Sequence, residues 1–421
     1  MKINPPANPN YAAVIVVIPA INKLEGCDNI VGAPLLGFQA IVSKDHQPGD
    51  IGVVFTAETQ LSEEFARTNN LHRDATLNAD PEATGYLEAN RRVRAIKLRK
   101  HRSDALFLPL AALAYTGVDP TVLQVGDTFD ELNGHPICAK YEVRPKGPSR
   151  IEKNKVKVFT RVDQRHFPVH FDSDNYWRVR DGIPADAQIV VSQKLHGTSW
   201  RGANTVVARE LTWRDRIAKR LGVTVQETSY DHVFGSRRVL KDVNNPRHDH
   251  FYKTDIWSEV GARLGSILPE GFMLFGELIG WEASGEPIQR DYTYAIPQGL
   301  SELYIYRVAQ VNPQGRITDL QWDQMIEFCR DHALKTVPLL WRGRHADFNV
   351  DEFMDIRYRD VGFADALSLG SNKKIVDEGV CVRVDGLVPY IAKAKSPQFF
   401  AHETKLLDKG EVDLESLGEA A

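Results

Sequence analysis

The chain has 421 residues, 43% hydrophobic and 26% charged, with 52 basic against 56 acidic side chains and a net charge of −4. That is a globular composition, long enough for two or three domains with a real core. The overall charge does not mark a nucleic-acid binder, the opening MKINPPANPN lacks the apolar centre of a signal peptide, and no apolar run approaches the ~20 residues of a membrane span. The four cysteines, Cys27, Cys138, Cys329 and Cys381, form no CxxC pair and fit no metal-knuckle spacing. The expectation is a soluble cytoplasmic protein with free, mostly buried thiols and no membrane partner.

In chain order, residues 12–21, 35–44 and 48–57 are β-rich runs punctuated by turns such as Pro-Gly-Asp. Residues 61–86 are polar and read as an inserted helix and loop. Strand signals return at 91–100 and 105–113. Short strands at this spacing predict a closed barrel of the OB type over residues 1–143. Residues 91–102 hold seven Lys or Arg in twelve positions. Such a run is either a solvated strand face or a track for phosphates, with salt-sensitive, sequence-tolerant binding.

Residues 144–157, rich in Pro, Gly and Lys, read as a linker whose lysines could extend that track. The linker ends softly: HFPVHFDSDNYWRV either continues it to residue 186 or packs on the next domain. From about residue 187 to 421 strands and helices alternate, which predicts an α+β domain. Residues 212–222 place Trp213, Ile217 and Leu221 on one helical face. Residues 321–333 repeat the spacing with Trp322, Met325, Ile326 and Cys329, and Thr318 or Asp319 could cap that helix. Strand-like runs lie at 271–280, 302–311, 378–386 and 387–395. There is no internal repeat. The HDH of residues 248–250 lacks a third metal ligand and reads as a polar loop.

Charged residues stand at the ends or middles of several of these apolar runs. Lys194 follows VVSQ, Glu277 lies in FGELIG, Glu378 opens EGVCVRV, and Lys393 and Lys395 close YIAKAK. Strand side chains alternate, so Lys393 and Lys395 share a face. Two lysines beside Ile391 are costly in a core unless an anion balances them, and a polyphosphate would. Two glutamates at apolar strands suit a divalent metal and a ribose hydroxyl. Taken singly, a surface lysine, an edge-strand glutamate and a solvated strand end are the simpler readings; their order and spacing together set them apart.

That order resembles the covalent nucleotidyltransferases, which include ATP-dependent DNA and RNA ligases and messenger RNA capping enzymes. Their nucleophile motif, Lys-x-Asp-Gly or Lys-x-His-Gly, reads Lys194-Leu195-His196-Gly197 in this chain. GSRR at 235–238 is similar to the arginine motif, FGELIG and LYIYRV to the next two, Glu378-Gly379 to the metal-binding glutamate motif, and Lys393-Ala394-Lys395 to the closing lysine pair. The resemblance spans residues 187–400 and implies antiparallel sheets with flanking helices. It implies Lys194 as nucleophile, Gln193, His196 and Gly197 in the nucleotide pocket, and Glu277 on the ribose. Tyr306 would stack on adenine, Lys393 and Lys395 would bind phosphate with Lys395 on the α-phosphate, and Glu378 would hold Mg²⁺ or Mn²⁺. Arg237 would contact phosphate or the nucleic-acid end, with Arg238 as its rival.

The His196 variant points to RNA ligases of the nick-sealing type. Only about 26 residues follow Lys395, too few for a C-terminal barrel, whereas the barrel-like unit comes first, as in Deinococcus-type RNA ligases and related phage enzymes. The implied substrates are ATP and an RNA, or an RNA-containing nicked duplex, and a monomer is expected. Two positions depart from the pattern: Ser199 stands where Asn is frequent, and Arg307 where Asp is common. The alternatives are a GTP-using capping guanylyltransferase, disfavoured by His196 and the domain order, and a nucleic-acid-binding protein with an inactive transferase domain.

Overall fold

The β-rich start folds into strands that are buried on both faces. In a computed structural model, described for residues 3–143, 161–241, 255–265 and 267–410, the chain divides into two compact units. Among the described residues the first comprises 3–143, 174–181 and 395–410, and the second 161–173 and 182–394. The C-terminal helix therefore groups with the first unit, and the end of the expected linker is shared between the two. Its start at 144–157, and the HDH of 248–250, lie outside the described residues. The architecture is mixed α+β and rich in sheet.

The first unit carries β1 (Ala13–Val17), β2 (Asn22–Lys23), β3 (Ile30–Leu35), β4 (Phe38–Ser43), β5 (Ile51–Thr56), β6 (Ile96–Leu98), β7 (His101–Ser103), β8 (Ala105–Pro109) and β9 (Thr128–Phe129). Seven of them form one sheet in the order β9-β1-β5-β8-β4-β3-β2. Its pairs are antiparallel except β4 with β8. Side chains alternate across a strand, so one sheet feeds two cores. Ile15, Val53 and Phe55 enter a cluster with Phe65 and Phe129, while Val14, Val16 and Val54 enter another with Phe38, Phe107 and Phe400. Phe65 arrives on the short helix Glu63–Thr68, capped by the Ser62 hydroxyl, and Phe400 on the helix Pro397–Asp408.

The basic run at 91–102 is not the single strand expected. Arg92 is buried, paired twice with Glu58 at 2.9 and 2.6 Å and reaching Asp408 at 3.3 Å. Arg94 is held by Glu88 and Asp408. Only then does the chain turn back in the β6–β7 hairpin, whose tip residues Arg99 and Lys100 have φ of 47° and 75°. Those are the left-handed values that a tight two-residue hairpin demands. Lys97, Arg99 and Lys100 are exposed, so the basic surface is this hairpin and not the whole run.

In the second unit, β10 (Gln188–Gln193), β11 (Thr198–Ala208), β12 (Thr228–Gly235), β13 (Leu240–Lys241), β14 (Phe272–Gly280), β15 (Ser301–Val311), β16 (Ile317–Asp319), β17 (Leu339–Arg344), β18 (Gly379–Val384) and β19 (Tyr390–Lys395) build two sheets. One runs β13-β12-β11-β14-β15-β16 through antiparallel pairs, and the other β19-β18-β10-β17. The helix Trp322–Asp331 buries Trp322, Met325 and Cys329 as its spacing predicts. Its cap is Gln321 with Gln324, not Thr318 or Asp319. The Asp319 carboxylate is engaged by Arg307 at 2.5 and 3.0 Å.

The helix Trp213–Arg220 also forms, closed by a Thr212–Asp215 capping box. Its apolar face is not buried: Trp213, Ile217 and Leu221 are 67%, 49% and 76% exposed. The cysteines are unbridged, with Cys381 the least buried. No helix among the described residues is long and apolar enough to cross a membrane.

Candidate active site

Two neighbouring strands set the centre of the site. β10 and β18 are antiparallel, with Gln193 opposite Val380, and the Lys194 N–H donates to the Gly379 carbonyl at 2.9 Å. That register puts the residue after β10 beside the residue before β18. The Lys194 Nζ lies 2.6 Å from Glu378 Oε1, and His196 Nδ1 is 3.7 Å from Oε2. Glu378 is fully buried and Lys194 is 8% exposed. A carboxylate this deep is tolerable only with cationic neighbours.

Gly197 leads the chain from this centre into β11. Its N–H donates to Glu277 Oε1 at 3.1 Å and its carbonyl accepts from Gln289 Nε2 at 2.8 Å. A Cβ at 197 would stand 2.3 Å from the Leu278 carbonyl oxygen and 2.7 Å from Ile279 Cγ2. Only glycine fits this approach of the turn to β14. Ser199 pairs with Glu277 across β11 and β14, which places that carboxylate against the turn.

Tyr306 reaches the same region through an irregularity of the ladder. Phe275 pairs with Arg307 but Gly276 with Ile305, so Tyr306 is the extra residue of a β-bulge. A bulge re-aims a side chain that strict alternation would direct elsewhere. Burial raises the Tyr306 phenol above its usual range, the Glu277 carboxylate raises it further, and Arg237 and Arg307 oppose this. Its ring meets His170 edge-on at 5.2 Å. Burial, then the charges of Lys393, Arg307 and Arg237, hold the His170 imidazole well below its usual value. Arg237, in the turn after β12, is ion-paired with Asp172, whereas Arg238 is exposed.

Cys381 ties the arrangement together. On β18 it alternates with fully buried Val380 and Val382, so it faces the other way. Burial raises its thiol pKa. Lys194 and Lys393 pull it down, while Glu378 and Glu277 push it up. One thiol thus lies within electrostatic reach of four of the charged residues singled out in the sequence.

Lys194, His196, Gly197, Glu277 and Glu378 come together directly, and Lys393, Arg237 and Tyr306 border them. Two others are engaged elsewhere. The Gln193 amide donates to Asp377 Oδ1 at 2.7 Å and accepts from the Leu367 N–H at 2.8 Å, bracing the strand ends. The Asp377 carboxyl is pushed up to about 6 by burial. Lys395 ends β19 with its Nζ 3.6 Å from Glu403 and over the rings of Phe399 and Phe400.

Sequence reasoning missed Gln289, Tyr292 and Tyr294, which lie in an irregular loop after β14 with no periodic signal. It also left His170 and Asp172 in a stretch of undecided packing. Among the described residues no group of three or more His, Cys, Asp or Glu could hold a metal ion. A single buried carboxylate such as Glu378 suits a cation that takes its remaining ligands from substrate phosphates and water.

Residues 187–395 match the RNA ligase family. No curated protein matches the sequence. In fold the chain is similar to a Naegleria gruberi RNA ligase solved with pyrophosphate, at 17% identity and a TM-score of 0.58, covering 95% of this chain and 99% of that one. Point variants of the same ligase solved with ATP and manganese and with AMP and manganese align at 16% identity and TM-scores of 0.56. They cover 94% and 93% of this chain and 99% and 98% of theirs.

Proposed function

We propose that this chain, whose residues 187–395 match the RNA ligase family, is an ATP-dependent RNA ligase that joins 3′-hydroxyl and 5′-phosphate ends, at nicks or in bridged duplexes. The observation that carries this reading is the contact of Lys194 with Glu378 at 2.6 Å beside a Gly197 turn bonded to Glu277 at 3.1 Å. The Naegleria ligase was solved with ATP or AMP and manganese, which supports the same substrate and a divalent metal for this chain.

In the first step the neutral Lys194 amine attacks the α-phosphorus of ATP. An Nζ–P bond forms, the P–O bond to the β-phosphate breaks, the amine loses its proton and pyrophosphate leaves. A free lysine, with pKa ~10.4, is almost wholly protonated at pH 7, so burial and nearby cations must favour the neutral amine. Lys194 is buried, and at rest its contact with Glu378 holds it as the ammonium; the amine is freed to lose its proton once that carboxylate engages a metal. Glu378 is the residue to hold Mg²⁺ or Mn²⁺, which would offset phosphate charge. Lys393, Arg237 and Lys395 are assigned to phosphates, with Lys395 on the α-phosphate. Glu277 is assigned to the ribose and Tyr306 to the base. Gln193 supports this pocket through Asp377, and His196 and Gly197 shape the turn.

In the second step AMP passes to a 5′-phosphate, and in the third a 3′-hydroxyl attacks that phosphate and AMP leaves. Residues 1–143 are read as the OB-like nucleic-acid-binding domain, supported by the sheet of short strands and by exposed Lys97, Arg99 and Lys100. Residues 144–186 are read as the connection, 187–421 as the adenylation domain, and the working species as a monomer. Incubation with labelled ATP or GTP tests the reading. AMP labelling followed by sealing of a nicked RNA-containing duplex is expected. Exclusive GMP labelling would replace it with a guanylyltransferase, and no labelling with an inactive domain.

A further inference from the structure

The loop after β14 leads to the one step we add. Among its residues Asp291, Tyr294 and Ala295 have φ of 68°, 51° and 54°. Non-glycine residues in that region are strained, and such strain persists only where the surroundings over-determine it. Two of the loop's buried side chains bond to the nucleophile turn and a third to the approach to Glu378. The Tyr294 hydroxyl accepts from the His196 N–H at 2.7 Å, and Gln289 Nε2 donates to the Gly197 carbonyl at 2.8 Å. The Tyr292 hydroxyl donates to the Val376 carbonyl at 2.9 Å, two residues before Glu378, and its ring meets His196 edge-on at 5.0 Å. All three side chains are buried: Gln289 and Tyr294 at 5% exposed and Tyr292 at 1%.

With the Glu277 bond to the Gly197 N–H, both backbone groups of Gly197 and the N–H of His196 are fixed by side chains from 80 to 98 residues away. A turn held this way cannot rotate its backbone without leaving buried polar groups unmet. Lys194 lies two residues before His196, so the turn sets where its amine can go. The same loop fixes the approach to Glu378, the other half of the Lys194–Glu378 contact.

We infer that Gln289, Tyr292 and Tyr294 are positioning residues for adenylylation, clamping the Lys194–Gly197 turn and the approach to Glu378 in the geometry of attack on the α-phosphate. This rests on the ligase reading above. None of the three needs to touch ATP. The clamp acts on the step in which Lys194 is the nucleophile, and joining of an end that already carries AMP does not use that amine.

The test compares Tyr294→Phe and Gln289→Met with the wild-type chain in two assays, with urea unfolding as the check on folding. The first assay follows AMP–protein formation from ATP; the second follows sealing of a pre-adenylated RNA end. Displacement of a reacting group by about 1 Å costs on the order of 10²-fold, so adduct formation at saturating ATP should fall roughly 10- to 100-fold. The KM for ATP should stay within about threefold, since binding contacts are intact, and so should sealing of the pre-adenylated end. The two variants disturb the turn from different atoms, so agreement between them separates the clamp from a folding defect of either. Unchanged adduct formation, or equal losses in both assays, would overturn the inference while leaving the ligase reading in place. A wild-type chain that forms no adduct with ATP would overturn that reading, and the inference with it.

Discussion

Lys194 Nζ and Glu378 Oε1 are 2.6 Å apart, at the adjoining ends of two paired strands and with the carboxylate fully buried. Neither charge is comfortable there without the other. Lys194→Met leaves a buried carboxylate short of its lysine, and Glu378→Gln leaves a buried ammonium without its carboxylate. Each single variant should lose stability, by roughly 3–5 kcal/mol. The double variant should lose less than the sum of the two, with a coupling of roughly 1–3 kcal/mol. A double-mutant cycle from urea unfolding reads this directly; strict additivity would mean that the pair does not share one local environment.

A second prediction concerns pH. His170 sits against Tyr306, Phe171 and Phe275, with Arg307 Nη1 at 3.4 Å from its Nδ1. Burial and the three cations around it depress its pKa in the folded state. The unfolded chain therefore binds more protons at this site as pH falls below ~6.5, and stability falls with it. The contribution is fully present above pH ~7 and is lost on acidification, by about 2 kcal/mol at most on reaching pH 5. His170→Gln should flatten that part of the pH–stability curve. An equal acid slope in the variant would assign the effect to other groups.

The basic hairpin gives a third. Lys97, Arg99 and Lys100 are exposed, while Arg92 and Arg94 are taken by Glu58, Glu88 and Asp408. Replacing the three exposed cations by Ala should weaken RNA binding and lower the salt slope by about 2, given roughly 0.7 per phosphate contact on single strands. AMP–protein formation should not change. Replacing Arg92 should instead destabilise the fold, because it would strand the buried Glu58. RNA affinity that is indifferent to the hairpin would move the track elsewhere.

The candidate site residues stood out in the sequence because charges interrupt apolar runs whose strand character is plain. VVSQK, FGELIG, EGVCVRV and YIAKAK each form a strand or end beside one. The helix Trp322–Asp331 was equally open, since its face is strongly periodic. What failed depends on partners distant in sequence. Arg92 looked like part of a basic face, yet its partners are 34 and 316 residues away.

Gln193 shows the same limit. It looked like a pocket residue, but its amide belongs to Asp377 and Leu367. The loop that carries Gln289, Tyr292 and Tyr294 has no period to betray it, because its role comes from single hydrogen bonds to a turn. The helix Trp213–Arg220 was read correctly as amphipathic, but periodicity does not say whether a face finds a partner.

The central claim is that Lys194 carries AMP, and mapping the adduct tests it most directly. The chain is incubated with ATP and Mg²⁺, digested, and the peptides are weighed by mass spectrometry, with Lys194→Ala alongside. The account predicts one AMP on the peptide containing Lys194 in the wild-type chain and none anywhere in the variant. AMP on a different residue, or an adduct that survives in Lys194→Ala, would contradict it.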